Sequence, residues 1–354
     1  MSNISSSISI EFRYPSTRYY GSKRRLLDWI WENVKDIKFD SVIDVFGGTG
    51  SIGLMFKRHG KRVYFNDILK FNQIIGKAII ENKSTLVEDK DLESVLNYDA
   101  GSYSHFISST FAGIFFLDYE NEWLDRVITN ISFVSDEYKR AILQSALFQS
   151  CLVKRPFNLF HRANLYMRTA NVSRTFGNKT TWETPFDSLL KKFVYEYNQA
   201  VFDNGKPNIV IGGYDALEVP YKADLVYLDP PYFALNSGQG TNYLAFYHFL
   251  EGLADYSNWG LRISGSAGKI KRIGDTPDIL RWTQKTKILD SFDKLIERFQ
   301  ESIIVLSYQN NGVPTKDELV SIFKKYKKNV NVHSKPFKYV LSSKEKEELL
   351  FIAR

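Results

Sequence analysis

Residues Leu225 to Tyr232 read Leu-Val-Tyr-Leu-Asp-Pro-Pro-Tyr, and no other stretch constrains the fold of this chain so tightly. Four residues of mostly apolar, β-prone character stop at an acid, two prolines and an aromatic ring, the pattern of a buried strand ended by a stiff turn. Pro230 and Pro231 have no N–H to give to a ladder, so the sheet ends by Asp229. In an open α/β sheet, ligands bind in the crevice beyond the carboxyl ends of the strands. The stretch therefore holds a carboxylate, a rigid backbone and a flat ring at a ligand edge. The plainer alternative is a strand and turn in which Asp229 caps a helix and Tyr232 fills core.

That combination suits a weakly nucleophilic amine. The lone pair of adenine's exocyclic nitrogen is delocalised into the ring and must be localised before it can attack a methyl group. Asp229 and the carbonyl of Pro230 can each accept one amine N–H, favouring the tetrahedral nitrogen of the transition state over the planar ground state. Tyr232 can stack on a base removed from a duplex, an interaction worth roughly 1–3 kcal/mol. Asp229-Pro230-Pro231-Tyr232 resembles motif IV of the amino-methylating DNA methyltransferases, and its Asp form implies adenine as the target.

Three further stretches bear on that resemblance. Arg18-Tyr19-Tyr20-Gly21-Ser22-Lys23 precedes an amphipathic helical run from Arg24 to Val34 and resembles motif X, which helps hold the methionine end of the methyl donor; alone it would be a surface loop and cap. Ser41 to Phe46 is a short apolar strand, and Phe46-Gly47-Gly48-Thr49-Gly50-Ser51-Ile52-Gly53 leads into a helix to about His59. Gly48, Gly50 and Gly53 satisfy the dinucleotide fingerprint, while Phe46, Gly48 and Gly50 equally resemble motif I, so a nicotinamide or flavin oxidoreductase stays open at this point. Lys61 to Phe65 reads as the second strand. Asp67 follows 20 residues after Gly47, the spacing at which an acid accepts both hydroxyls of an adenosine ribose, with helix capping as the alternative. The resemblance also implies donor contacts from Asp44 and Ile68, and from Asp215 with Ala216 beside the donor's adenine ring, against a turn-forming Asp215.

Charge patterning marks a different region. Lys and Arg exceed Asp and Glu by 47 to 40, a weak signal for a polyanionic partner by itself. Its distribution is sharper: Tyr138 to Trp182 contains no acid, yet carries Lys139, Arg140, Lys154, Arg155, Arg162, Arg168, Arg174 and Lys179, together with His161. Aromatic side chains and four asparagines are interleaved, the composition of a surface that contacts phosphates and base edges. Lys154, Arg155, His161, Arg162, Arg168, Arg174 and Lys179 are the DNA-contact candidates, with a solvated basic face over buried aromatics as the alternative. Gly260 to Lys287 reads as a second basic stretch, a mobile loop near DNA.

The remaining sequence supplies scaffold. The region from Ile68 to Ser150 is mainly helical, as are Phe186 to Val201 and Tyr243 to Trp259, and strands are expected at Asn208 to Ile211, Ile303 to Leu306, Asn329 to His333 and Leu349 to Ala353. Ser307 to Gly312 resembles the motif VI loop. His248 has no neighbouring metal-type ligand and reads as structural, so no metal is expected. Cys151 is the single cysteine, which excludes an intrachain disulfide, and no apolar run approaches a membrane span.

The order of motif X, glycine loop, Asp67, basic insertion, Asp215 and Asp-Pro-Pro-Tyr resembles the alpha group of DNA adenine-N6 methyltransferases, the Dam-like and type II restriction-modification adenine methylases. The resemblance implies an α/β, Rossmann-like sheet of seven mostly parallel strands, formed by 11–95 and 206–354, and an inserted, mainly helical target-recognition domain at 96–205. It also implies S-adenosylmethionine as donor, double-stranded DNA as substrate, a cytoplasmic monomer, and a cognate restriction endonuclease acting separately. The rivals are an NAD-dependent oxidoreductase, a methyltransferase acting on RNA or on a protein amide, and a non-catalytic DNA-binding module with a vestigial donor pocket.

Overall fold

The computed structural model describes residues 12–97, 101–170, 172, 179–233, 240–265, 268–337 and 346–354. Seven strands form one sheet: β1 (Ser41–Asp44), β2 (Arg62–Asn66), β3 (Ile209–Gly212), β4 (Leu225–Leu228), β5 (Ile303–Gln309), β6 (Val330–Phe337) and β7 (Lys346–Ala353). Their order is β3-β2-β1-β4-β5-β7-β6. The first five are parallel, and β7 runs antiparallel between β5 and β6. The chain leaves β1 toward β2 and β3, then returns to the other side of β1 as β4. This reversal opens a crevice at the carboxyl ends of β1 and β4, where a doubly wound sheet binds its ligands.

Strand alternation divides the core into two layers. Val42, Val63, Phe65, Leu225 and Tyr227 face one layer. Ile43, Tyr64, Val226, Leu228 and Ile304 face the other. All four residues of β4 are fully buried, as a central parallel strand covered on both faces requires. Helices Leu27–Val34, Ser51–Arg58 and Tyr243–Ala254 cover the first face, and Lys285–Arg298 and Lys316–Tyr326 cover the second.

Between β2 and β3 the chain is helical, with Asp118–Ser132, Glu137–Val153 and Phe186–Asn198 as its longest elements. Their apolar faces, including Leu124, Leu143, Leu147 and Phe193, join the same core layer as Val42 and Phe65, so no gap in the core separates this region from the sheet. Asn198 cements the junction, its amide donating to the Val87 carbonyl and accepting from the Val87 N–H.

β5 is longer than its apolar run suggests. Ser307, Tyr308 and Gln309, expected in a loop, are inside the strand because they pair with Leu350, Leu349 and Glu348 of β7. The stretch 260–287 also differs from the expected mobile loop. Its described residues include helices Trp259–Arg262 and Pro277–Arg281 and a bridge between Ile263 and Ile273. Its arginines are paired: Arg262 with Glu251 and Asp255, Arg272 with Asp275, and Arg281 with Asp215 and Asp278. Burial of Ile273, Trp282 and Thr283 fixes the stretch against the sheet.

Candidate active site

A cleft of about 930 Å³ opens at the carboxyl ends of β1 and β4. The glycine loop forms its floor through Phe46, Gly47, Gly48 and Thr49. Gly47 is required by close approach, since a Cβ there would stand 2.2 Å from the Phe65 ring. Gly50, at φ +72°, turns the loop into helix Ser51–Arg58 and lies outside the lining. Asp67 holds the loop from the end of β2: one carboxylate oxygen accepts the Gly48 N–H and the other the Leu69 N–H, each at 2.8 Å. Its bond to Leu69 closes an Asx-type turn and is not a helix cap, since helix Lys70–Gly76 has Leu69 as its N-cap and no side-chain cap hydrogen bond; Asp67 also lines the cleft beside Ile68. Burial pushes its carboxyl up to about 6, against the pull of those two N–H groups.

Asp44 does not reach the lining. It is buried beneath the loop, where it accepts the Gly53 N–H at 3.1 Å, and burial with the nearby Asp229 charge raises its pKa well above the usual carboxylate range. Its assignment as a donor contact is corrected to a strut under the glycine loop. Asn66, which sequence reasoning passed over, ties three segments: its amide donates to the carbonyls of Val45 and Tyr214 and accepts from the Tyr214 N–H.

The second wall comes from Tyr19, Gly21 and Lys23. Tyr19 stacks on Tyr247 at 4.6 Å and on Tyr243 at 5.4 Å, both from helix Tyr243–Ala254. Gly21 adopts φ +80°, and a Cβ there would come 2.7 Å from the Tyr243 hydroxyl. The ring of Tyr20 is partly exposed, packs edge-on against Phe246 at 5.7 Å and lies outside the lining, while its backbone N–H donates to the Tyr247 hydroxyl at 2.7 Å. Tyr20 is thereby corrected from a donor-lining side chain to a backbone anchor.

Asp229 stands one residue past β4, where its strand pattern put it. Its Oδ1 is 2.8 Å from the Lys23 ammonium, which also lies 3.4 Å from Glu348 and 4.7 Å from the centre of the Tyr232 ring. The Tyr232 hydroxyl donates to Glu348 at 2.6 Å, and Ser307 does so at 2.7 Å. Glu348 is fully buried at the head of β7, and nothing local in the sequence marked it. Burial pushes Asp229 up to about 6; Lys23 opposes that and Glu348 adds to it. Asp229 and Pro231 line the cleft, whereas Pro230 and Tyr232 sit behind them.

Asp215 and Ala216 follow β3 and line the far end. Asp215 Oδ1 accepts from Leu217 N–H at 2.8 Å and Arg281 at 2.9 Å. Its Oδ2 is buried and has no hydrogen-bond partner among the described residues. Ile279 and Trp282 complete this wall, from a stretch the sequence had assigned elsewhere.

The basic insertion divides into two sets. Lys154 and Arg168 are buried against Glu120, at 2.7 Å each, and Lys154 also donates to the carbonyls of Trp182 and Thr184. Arg155 is buried and donates to the carbonyls of Phe115, Leu159 and Arg162. These three are corrected from DNA-contact candidates to internal struts, because their charged ends face protein and not solvent. His161 is half-buried against Phe246, while Arg162 and Lys179 are exposed. Arg174 lies outside the described residues. His248 is buried with Nε2 at 3.2 Å from the Phe160 carbonyl, and burial lowers its pKa to about 3, consistent with a structural role.

Comparison with known proteins adds the following. The family model for D12 class N6 adenine-specific DNA methyltransferase matches residues 19–270, stopping short of helix Pro277–Arg281. The chain is 28% identical to the type II methyltransferase M2.HphI of Haemophilus parahaemolyticus, over 96% of this chain and 98% of that protein. It is 24% identical to the type II methyltransferase M.NlaIII of Neisseria lactamica, covering 88% of each. It is 27% identical to the modification methylase StsI of Streptococcus sanguinis across 94% of its own length, but spans only 51% of that relative.

Proposed function

The chain belongs to the D12 class of N6 adenine-specific DNA methyltransferases, and we propose that S-adenosylmethionine is its donor and that it marks the sites of a restriction-modification system. It is a site-specific DNA adenine methyltransferase. The observation that carries the donor assignment is one cleft whose walls include Asp67, Asp215 and Asp229. The fit is supported by the buried, unpartnered Asp215 Oδ2.

S-adenosylmethionine, when bound, supplies an electrophilic sulfonium methyl. Asp67 would take the ribose hydroxyls, each of its oxygens having a lone pair beyond the backbone bond it already accepts. Asp215 Oδ2 would accept from the donor's adenine amine. At the mouth, Asp229 and the Pro230 carbonyl would accept the two N–H bonds of the target amine, which shares or replaces Lys23 on the carboxylate. Extruding the base costs a few kcal/mol, and stacking on Tyr232 offsets part of that; use of the face now under Lys23 requires the ammonium to move. The surface set Arg162, Lys179 and His161 within 96–205 would contact the duplex, and the enzyme would act in the cytoplasm as a monomer, with any cognate endonuclease a separate chain.

Two measurements test the reading. Calorimetric titration should show S-adenosylmethionine binding and NAD failing to bind. Incubation with duplex DNA and donor should yield N6-methyladenine at one sequence context. Tight NAD binding with no response to the methyl donor would overturn the donor assignment.

A further inference from the structure

We propose that Arg281 is a positioning residue for donor recognition, holding the Asp215 carboxylate so that its second oxygen stays a free acceptor for the exocyclic amine of the donor's adenine. The proposal rests on the reading of the cleft as the S-adenosylmethionine site.

Asp215 is held on one oxygen only. Oδ1 accepts from the Leu217 N–H and from Arg281, while Oδ2, buried in the same carboxylate, accepts from nothing among the described residues. Two donors on one oxygen fix the rotation of the group, so the unpartnered oxygen has one direction in which to accept. A buried polar atom without a partner is costly, so the arrangement is unfavourable unless a ligand donor completes it. The Asp215 side chain is 1% exposed and that of Arg281 28%, so the guanidinium reaches inward from the surface to a buried carboxylate.

The chemistry of that acceptor is selective. An ionised carboxylate only accepts, so it matches an amine and repels the oxo group of a hypoxanthine ring. Once protonated it would donate instead, and the selection would be lost. Burial raises the Asp215 pKa, with Asp278 and Glu218 adding to that, and the Leu217 N–H and the Arg281 charge oppose it. Arg281 is a cation acting on the group, and it stands on helix Pro277–Arg281, whose Asp278 and Ile279 line the same cleft. That helix thus carries both a wall of the donor site and the charge that keeps its acceptor ionised.

The test uses the whole chain, with S-adenosylhomocysteine and S-inosylhomocysteine as probes in calorimetric titrations from about pH 8 to about pH 6, since removing the cation raises the buried carboxyl further. The wild type should prefer the adenosyl probe with little change across that range. Arg281→Gln should lose about tenfold or more in adenosyl affinity, the scale of one charge-assisted contact, with the loss growing as pH falls and the preference over the inosyl probe collapsing. Arg281→Lys, which keeps the charge, should recover most of the preference. An Arg281→Gln protein that melts like the wild type and keeps full affinity and preference at every pH would overturn the positioning role while leaving the cleft assignment intact. A wild type that binds neither probe, or does not distinguish them, would instead overturn the reading of the cleft, and the proposal with it.

Discussion

A carboxylate that must accept hydrogen bonds works only when ionised, and two acids of the cleft are held near that limit. Burial raises Asp229 to about 6 despite Lys23 beside it. Single-turnover methyl transfer at saturating donor should therefore fall as pH drops through about 6, because the protonated acid cannot accept the amine N–H. A rate unchanged down to about pH 5, a full unit below that value, would separate Asp229 from the chemical step. Asp67, also raised to about 6, has a consequence for stability. Its folded-state value exceeds its unfolded one, so the proton it retains stabilises the fold fully below about pH 4 and ceases to as pH rises through about 6, by up to about 1.4 kcal/mol per unit. Urea midpoints of wild type and Asp67→Asn, whose amide stands in for the protonated acid, should lie closest below about pH 4 and separate as pH rises through about 6, the wild type losing stability relative to the variant once the other carboxyls are accounted for by difference. Asp229 and the glycine loop were legible because each belongs to a contiguous motif, and Asp67 because it ends a strand at a fixed spacing from that loop. Glu348 and Arg281 were not: their partners Tyr232 and Asp215 lie 116 and 66 residues away, and only the pairing of β7 and the docking of helix Pro277–Arg281 bring them together.

At the scale of elements, the glycine loop and the Glu120 cluster set different limits on change. Glu120 neutralises Lys154 and Arg168 inside the insertion, with all three side chains at most 5% exposed. Glu120→Gln strands two buried cations, so unfolding free energy should drop by roughly 3–5 kcal/mol, while S-adenosylmethionine affinity in the folded fraction stays unchanged. A variant as stable as the wild type but weak on DNA would restore Lys154 and Arg168 as DNA contacts. The strand and helix plan was readable because the apolar periods were strong, and Lys154 and Arg168 of the insertion were misread for a specific reason. A run without acids looks like a solvent face, yet its partner Glu120 precedes the run by 18 residues from Tyr138 and neutralises it from another helix. Ser307 to Gln309 were misplaced for a similar reason, since pairing with β7 extends β5 beyond its apolar residues.

For the whole molecule, the surplus of seven positive charges now has a smaller exposed share, since Lys154, Arg155 and Arg168 are internal. Among the basic candidates that remain, Arg162 and Lys179 are exposed. Duplex affinity should fall log-linearly with salt, and Arg162→Ala should weaken binding and lower the slope by about one if it meets a phosphate. Salt-independent binding would leave that surface as a solvated face. The fold class and the order of the motifs were legible from end to end, because a doubly wound sheet repeats its strand, loop and helix in sequence order. The central claim is that Asp229 holds the target amine through methyl transfer. It is tested most directly by single-turnover transfer on Asp229→Ala, with melting temperature, donor affinity and DNA affinity measured on the same protein. Loss of an oriented contact of this kind predicts a chemical step slower by about 10² or more, with the fold, the donor and the DNA site retained; a folded Asp229→Ala enzyme that methylates adenine at the wild-type rate would contradict it.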